Sequence, residues 1–263
     1  MKQAVQQLAV AIAVMAIILG GWELAVTYGV LRPYQFPPPS RILRGFDEIT
    51  TRGFPSGITI WRHTGITMMR IAQGYVAALA IAIPLGFLIG SFRVLDALTA
   101  PLIVFARSIA TLSLLPLVIV WFGAGELTKV VLIGYGCFWV MLSNVIAGVK
   151  YVDPLLLRAA RTFGVRGVAL YREVVLPAAL PRIFAGARMS LGVGFMVIVG
   201  AEMIGTIQGL GALIMEARTF YRSDITILGM LVIGVIGFLI STGLARLERF
   251  TLPWAASLEE VRR

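Results

Sequence analysis

Side chains able to do covalent or metal chemistry are scarce in this sequence. The single histidine, His63, and the single cysteine, Cys137, stand far apart. Neither has a second ligand at metal-binding spacing, and no nucleophile–base pairing is legible. There is no G-x-x-x-x-G-K-[ST] phosphate loop, and the only lysines are Lys2, Lys129 and Lys150. No catalytic residue and no metal ligand is therefore assigned. What stands out instead is charge inside or beside apolar sequence: Glu23, Arg107, Arg188 and Glu202. An ionisable group in hydrocarbon costs at least about 2.5–3.5 kcal/mol, so such groups pair with one another or line a polar path. Arg107 and Glu202 are the candidates for a path. The planar donors of Arg107 would attract an anion. The alternative pairs Arg107 with an acid such as Glu202, or lets it reach the interface.

Elements of membrane length must position these charges. Hydrophobic residues make up 59% of the 263 and charged ones 14%, against about 45–50% and 25% in soluble domains. That excludes a disordered chain, a collagen-like chain and an ordinary soluble enzyme. Six apolar runs approach the 20 or so residues a spanning helix needs: residues 8–30, 71–90, 98–121, 130–149, 189–207 and 225–245. None alternates with period two, so the expected fold is an all-α integral membrane protein of about six transmembrane helices, not a barrel. The first run lacks a small-residue cleavage pattern and is read as a retained span. Trp22, Trp61, Trp121 and Trp254 fall near the expected interfaces, as does His63. The net charge of +10 would point to nucleic acid in a soluble protein; here it marks a face against anionic lipid, and no nucleic-acid partner is expected. Counting Lys and Arg in the connections places both termini and residues 150–182 in the cytoplasm, although several arginines between the first two spans lie on the opposite side.

Two connections are long. Residues 32–64 begin with Pro33, Pro37, Pro38 and Pro39 and continue past Pro55, an extended segment. Ser40 then reads as the N-cap of a short amphipathic helix, 41–50. In the second, Asp153 caps a helix with Pro154 at its first position, and Leu155, Leu156, Ala159, Ala160 and Phe163 recur at helical spacing. Gly164 ends that helix. A second short helix covers 168–175, and Leu176-Pro177 with Pro181 are expected to break the chain before the next span. Gly209 and Gly211 mark an ordinary turn on the opposite face.

This second connection resembles the cytoplasmic signature of ABC importer permeases: Glu-Ala-Ala, three residues, Gly, nine residues, Ile-x-Leu-Pro. Ala159, Ala160, Gly164, Val174, Leu176 and Pro177 match at that spacing, with Arg158 in place of the glutamate. From about His63 to Arg249 the chain is similar to the nitrate/sulfonate/taurine/bicarbonate branch, through LLPLVIVWFGAGELTKVVLI, AGVKYVDPLLLRAARTFG, VVLPAALPRIFAGARMSLG and AEMIG with GLGALI. PPPSRIL before the second span resembles that branch too. Ser108, Ala110 and Thr111 stand where the branch often has prolines.

The resemblance implies a type I ABC importer permease fold with a cytoplasmic coupling helix. Residues 1–62 would be a first span and outer connection, 63–249 the core, and 250–263 a cytoplasmic tail. It implies the bacterial inner membrane and a path for a small, anionic solute such as a sulfonate, taurine, nitrate or bicarbonate. The implied partners are two ATPase subunits that bind ATP and Mg, a second permease copy in a homodimer, a periplasmic or lipid-anchored solute-binding protein, and membrane lipid. Arg158, Ala159, Ala160, Gly164, Val174, Leu176 and Pro177 would couple the chain to the ATPase. An ATP-independent secondary transporter or channel is the alternative. It would show an inverted repeat, and it leaves the signature loop unexplained.

Overall fold

The computed structural model describes residues 2–54 and 57–253; Met1, Pro55, Ser56 and 254–263, with Trp254 and most of the expected tail, lie outside them. The described chain is helical throughout: α1 (Lys2–Thr27), α2 (Pro39–Thr51), α3 (Ile60–Ser91), α4 (Arg93–Ser108), a 3-10 turn (Thr111–Leu114), α5 (Leu115–Phe122), α6 (Glu126–Lys150), α7 (Pro154–Thr162), α8 (Gly167–Leu170), a π turn (Tyr171–Val175), α9 (Leu176–Glu202), α10 (Leu210–Thr219) and α11 (Ser223–Thr251). Among the described residues four helical stretches are long and apolar enough to cross a membrane: α3, α6, Gly167–Glu202 and α11. α4 and the helical piece after it make a fifth when counted as one bent span. The first expected span is also helical, with its described apolar part at Ala13–Thr27.

The chain divides into two compact units, Met1–Ile66 with Thr206–Ile233, and Thr67–Gly205 with Gly234–Arg263. In the first unit, α2 does not begin as expected. Pro38, extended at φ −64° and ψ 148°, precedes it, Pro39 enters the first turn, and Ser40 lies inside the helix. The first turn's exposed donors are met from another helix instead: the Glu23 carboxylate accepts from the Ser40 amide at 3.1 Å and from its hydroxyl at 2.7 Å. An anion at a helix N-terminus is favourable, which accounts for a glutamate late in the first apolar run. Further on, Arg222 clasps Glu48 at 2.6 and 3.1 Å and also reaches Asp224 at 2.9 Å. The hydrogen bond from Arg222 holds the Glu48 carboxyl below the usual carboxylate range. His63 is buried within the protein. Its Nδ1 lies 2.9 Å from the Gly209 carbonyl and 3.1 Å from that residue's amide, and its Nε2 lies 3.3 Å from the Phe54 carbonyl.

The second unit is organised around α6. Gly74 of α3 sits where an added Cβ would come within 2.7 Å of Ile133, and Gly86 meets Val145 equally closely. The pairs advance together, so α3 and α6 run parallel at a separation only glycine permits. Such small-residue seams hold helices together in lipid, where burial of apolar surface gives little. On its other face α6 packs antiparallel to α9, with Gly194 against Cys137 and Gly186 against Asn144. The Cys137 thiol donates to the Ser190 carbonyl at 3.2 Å.

Candidate functional site

At the N-terminal end of α6, charges are drawn together, three of them buried and one exposed. Arg70 of α3 presents its guanidinium edge to Glu126, the first residue of α6, through Nε at 2.5 Å and Nη2 at 2.6 Å. Its Nη1 donates to Glu202, the last residue of α9, at 2.7 Å. Thr67 donates to both Glu202 oxygens at 2.9 Å, and Lys129 lies 3.4 Å from Glu126. Glu202 is 0% exposed and Arg70 4%, whereas the Glu126 side chain is 65% exposed. Arg70 and Lys129 face Glu126 and Glu202, so opposite charges meet in this cluster. A forked guanidinium suits two carboxylates at once, giving geometric definition as well as attraction. The start of α6 adds to this, since Glu126 sits at its positive end, whereas Glu202, at the negative end of α9, depends on Arg70 and Thr67. Sequence reasoning found Glu202 but missed Arg70, which lies just before the second apolar run and pairs across more than fifty residues. The glutamate does not pair with Arg107.

Arg107 lies elsewhere in this unit. The third apolar run is broken: α4 and the helical piece Thr111–Phe122 meet at 82°, through extended Ile109 and Ala110. Pro116 comes after this break, in the first turn of α5, where its missing amide is tolerated. Arg107 occupies the last turn of α4, is exposed, and makes one hydrogen bond, to Ser143 Oγ at 3.3 Å. Among the described residues no carboxylate pairs with it. Together with Thr111, Tyr135 and Trp139 it lines a cavity of about 270 Å³. The Trp139 indole N–H is buried without a hydrogen-bond partner among the described residues. The structure thus separates the two path candidates: Arg107 fronts a cavity, and Glu202 is locked in the buried network.

At the C-terminal end of α6 stands the helical hairpin. Asp153 accepts from the Leu155 amide at 2.8 Å, capping α7 with Pro154 in its first turn. Gly164 takes φ +84°. Its amide bonds the Arg161 carbonyl and the Val165 amide bonds the Ala160 carbonyl, both at 3.0 Å, a Schellman closure. Arg158, Ala159 and Gly164 are exposed, and Ala160 is half-buried. Apolar Leu155 and Phe163 are exposed too, Phe163 by 87%. Val174, Leu176 and Pro177 sit apart, where the π turn enters α9. The expected break there does not occur. The wider i→i+5 winding ahead of Pro177 accommodates its missing amide, and Pro181 is carried inside α9 one turn later.

Residues 82–253 match the family model described as "Binding-protein-dependent transport system inner membrane component". The chain is 33% identical to a taurine transport system permease protein of Escherichia coli, over 97% of this chain and 92% of that one. It is 31% identical to a putative aliphatic sulfonates transport permease protein of Bacillus subtilis, over 93% and 87%. It is 35% identical to a bicarbonate transport system permease protein of Synechococcus elongatus, over 76% and 72%. Among solved structures, the inward-facing MetNI methionine ABC transporter shares the fold at a TM-score of 0.59 and 20% identity, over 72% of this chain and 96% of that one. The chain is therefore a member of the binding-protein-dependent transport system inner membrane component family, the multi-pass permease subunits of ABC importers, which work with solute-binding proteins and leave ATP hydrolysis to a separate subunit.

Proposed function

We propose that this permease forms the path for a small anionic solute and that Arg107 is the residue in the path that attracts it. The observation that carries this is a guanidinium at a broken span, facing a cavity, with no carboxylate to neutralise it among the described residues. A charge left so in a spanning segment is functional by default. The unpartnered indole N–H beside the cavity offers a second donor. Taurine, sulfonates and bicarbonate, named for three relatives, all carry an anionic oxygen group of the kind a guanidinium binds bidentately. A single weakly held arginine also suits transport, since a complete cage would hinder release. The test is Arg107→Gln in a reconstituted importer. Uptake of the anion is expected to fall about tenfold, the worth of roughly 1.4 kcal/mol, with assembly and ATP hydrolysis preserved. Unchanged uptake, or a variant that fails to assemble, overturns the assignment.

The same reading gives the hairpin the task of coupling. Arg158, Ala159, Ala160 and Gly164 form its exposed corner, and Val174, Leu176 and Pro177 join it to α9. Exposed leucine and phenylalanine on a polar face favour a partner surface over a solvated linker. The partner is an ATPase, one for each copy of a homodimeric permease, with a periplasmic or lipid-anchored binding protein on the far side. Both termini and the hairpin then lie in the cytoplasm of a bacterium, residues 1–62 form the first span and outer connection, 63–249 the core, and 250–263 the tail. Glu202, in this scheme, positions helix ends and does not touch solute.

A further inference from the structure

A second cavity, of about 440 Å³, opens in the α6 unit where the C-terminal ends of α3 and α6 and the start of α4 meet the hairpin. It is within the size range of small-ligand pockets. Arg93, Lys150 and Arg161 line it against one carboxylate, Asp96. Lys150 is engaged by Asp96 at 2.5 Å. Arg93 and Arg161 are exposed, and neither has an acidic partner among the described residues. Two guanidiniums on different helices, α4 and α7, thus line one cavity without a carboxylate paired to either among the described residues. The rest of the lining is mixed: buried Leu170 and Val175 beside the rings of Tyr151 and Tyr171.

We propose that this cavity holds the phosphate of an anionic phospholipid headgroup. The reasons are its place and its composition. It lies at the ends of two helices of spanning length, the depth at which headgroups sit, and basic pockets between spanning helices are a recurring means of holding them. A phosphate offers guanidinium groups the oxygens they fit. The apolar lining receives the glycerol and upper acyl carbons, which a free anion would leave uncovered. A headgroup held between Arg93 and Arg161 ties α7 to the start of α4, so it fixes the angle at which the hairpin leaves the membrane. The inference is independent of the solute reading and of which leaflet supplies the lipid.

The test uses the purified permease–ATPase complex from vesicles of phosphatidylcholine and phosphatidylglycerol in equal parts, with retained lipid counted by native mass spectrometry. Wild type is expected to retain phosphatidylglycerol over phosphatidylcholine. The Arg93→Gln/Arg161→Gln pair is expected to lose that preference by about fivefold for each arginine. Arg166→Gln, on the same hairpin but outside the cavity, is expected to keep it. A parallel arm titrates inorganic phosphate against the complex in pure phosphatidylcholine and reads the melting temperature. Stabilisation there that the double variant abolishes keeps the phosphate site but assigns it to a soluble anion. Equal lipid retention in wild type and double variant with no phosphate effect overturns the proposal. So does an equal loss in Arg166→Gln, which makes the effect one of general charge. Loss of ATPase subunits from the double variant whatever the lipid overturns it as well, by giving the cavity to an acidic side chain of that partner.

Discussion

Glu126 opens α6 and Lys150 closes it, and both are held by ion pairs, but the two pairs live in different surroundings. Glu126 is tied to Arg70, which is buried and also holds the fully buried Glu202. Lys150 meets Asp96 with neither side chain buried, at 44% and 22% exposed, and no buried third charge depends on the pair. Removing a charge from water costs several kcal/mol, and a buried pair recovers it only with complete and well-aimed partners. The first end is therefore committed: α3, α6 and α9 have one register in which Arg70 reaches both carboxylates. At the second end either charge can turn to water, lipid or a protein with little loss. One unit thus carries a fixed end and an adaptable end, and the hairpin emerges from the adaptable one.

Substitutions test that contrast. Arg70→Ala takes from Glu202 the guanidinium that offsets its burial, and a loss of about 3–5 kcal/mol of stability is expected, read as a lowered melting temperature and poor recovery from detergent. A variant as stable as wild type would show that this end is not committed. Gly164→Asp is expected to abolish ATP-coupled uptake in reconstituted complexes while membrane insertion stays intact. Its cost in stability is only about 1–2 kcal/mol, because the corner is open but left-handed. Retained coupled uptake would remove the functional half of the comparison. Lys150→Gln is expected to leave the melting temperature unchanged, and a clear loss would mean that the exposed end is also a structural lock.

Much of this was legible from sequence because it is local. The apolar runs depend only on composition over twenty residues. The hairpin depends on Asp153, Pro154 and Gly164, whose backbone preferences act within a turn. What was not legible is what depends on distant partners. Ser40 has the chemistry of a cap, yet Glu23, seventeen residues earlier, supplies the anion that the helix end needs. Pro116 marks the third run as irregular, but the bend falls before it at Ile109 and Ala110. Pro177 and Pro181 look like breakers because an α-helix cannot absorb a proline cheaply; a π turn just ahead of Pro177 eases the first, while the second is carried within α9. Arg70 carries no local sign of its role, since its partners lie on two other helices.

That π turn, Tyr171–Val175, has a geometric consequence. Its hydrogen bonds close over one residue more than those of an α-helix. The same five residues rewound as α would advance by about one further residue of rotation, about 100° around the axis of α9. The junction therefore holds a rotational phase offset, which turns the bearing of the hairpin relative to the twenty-seven residues of the helix that follows.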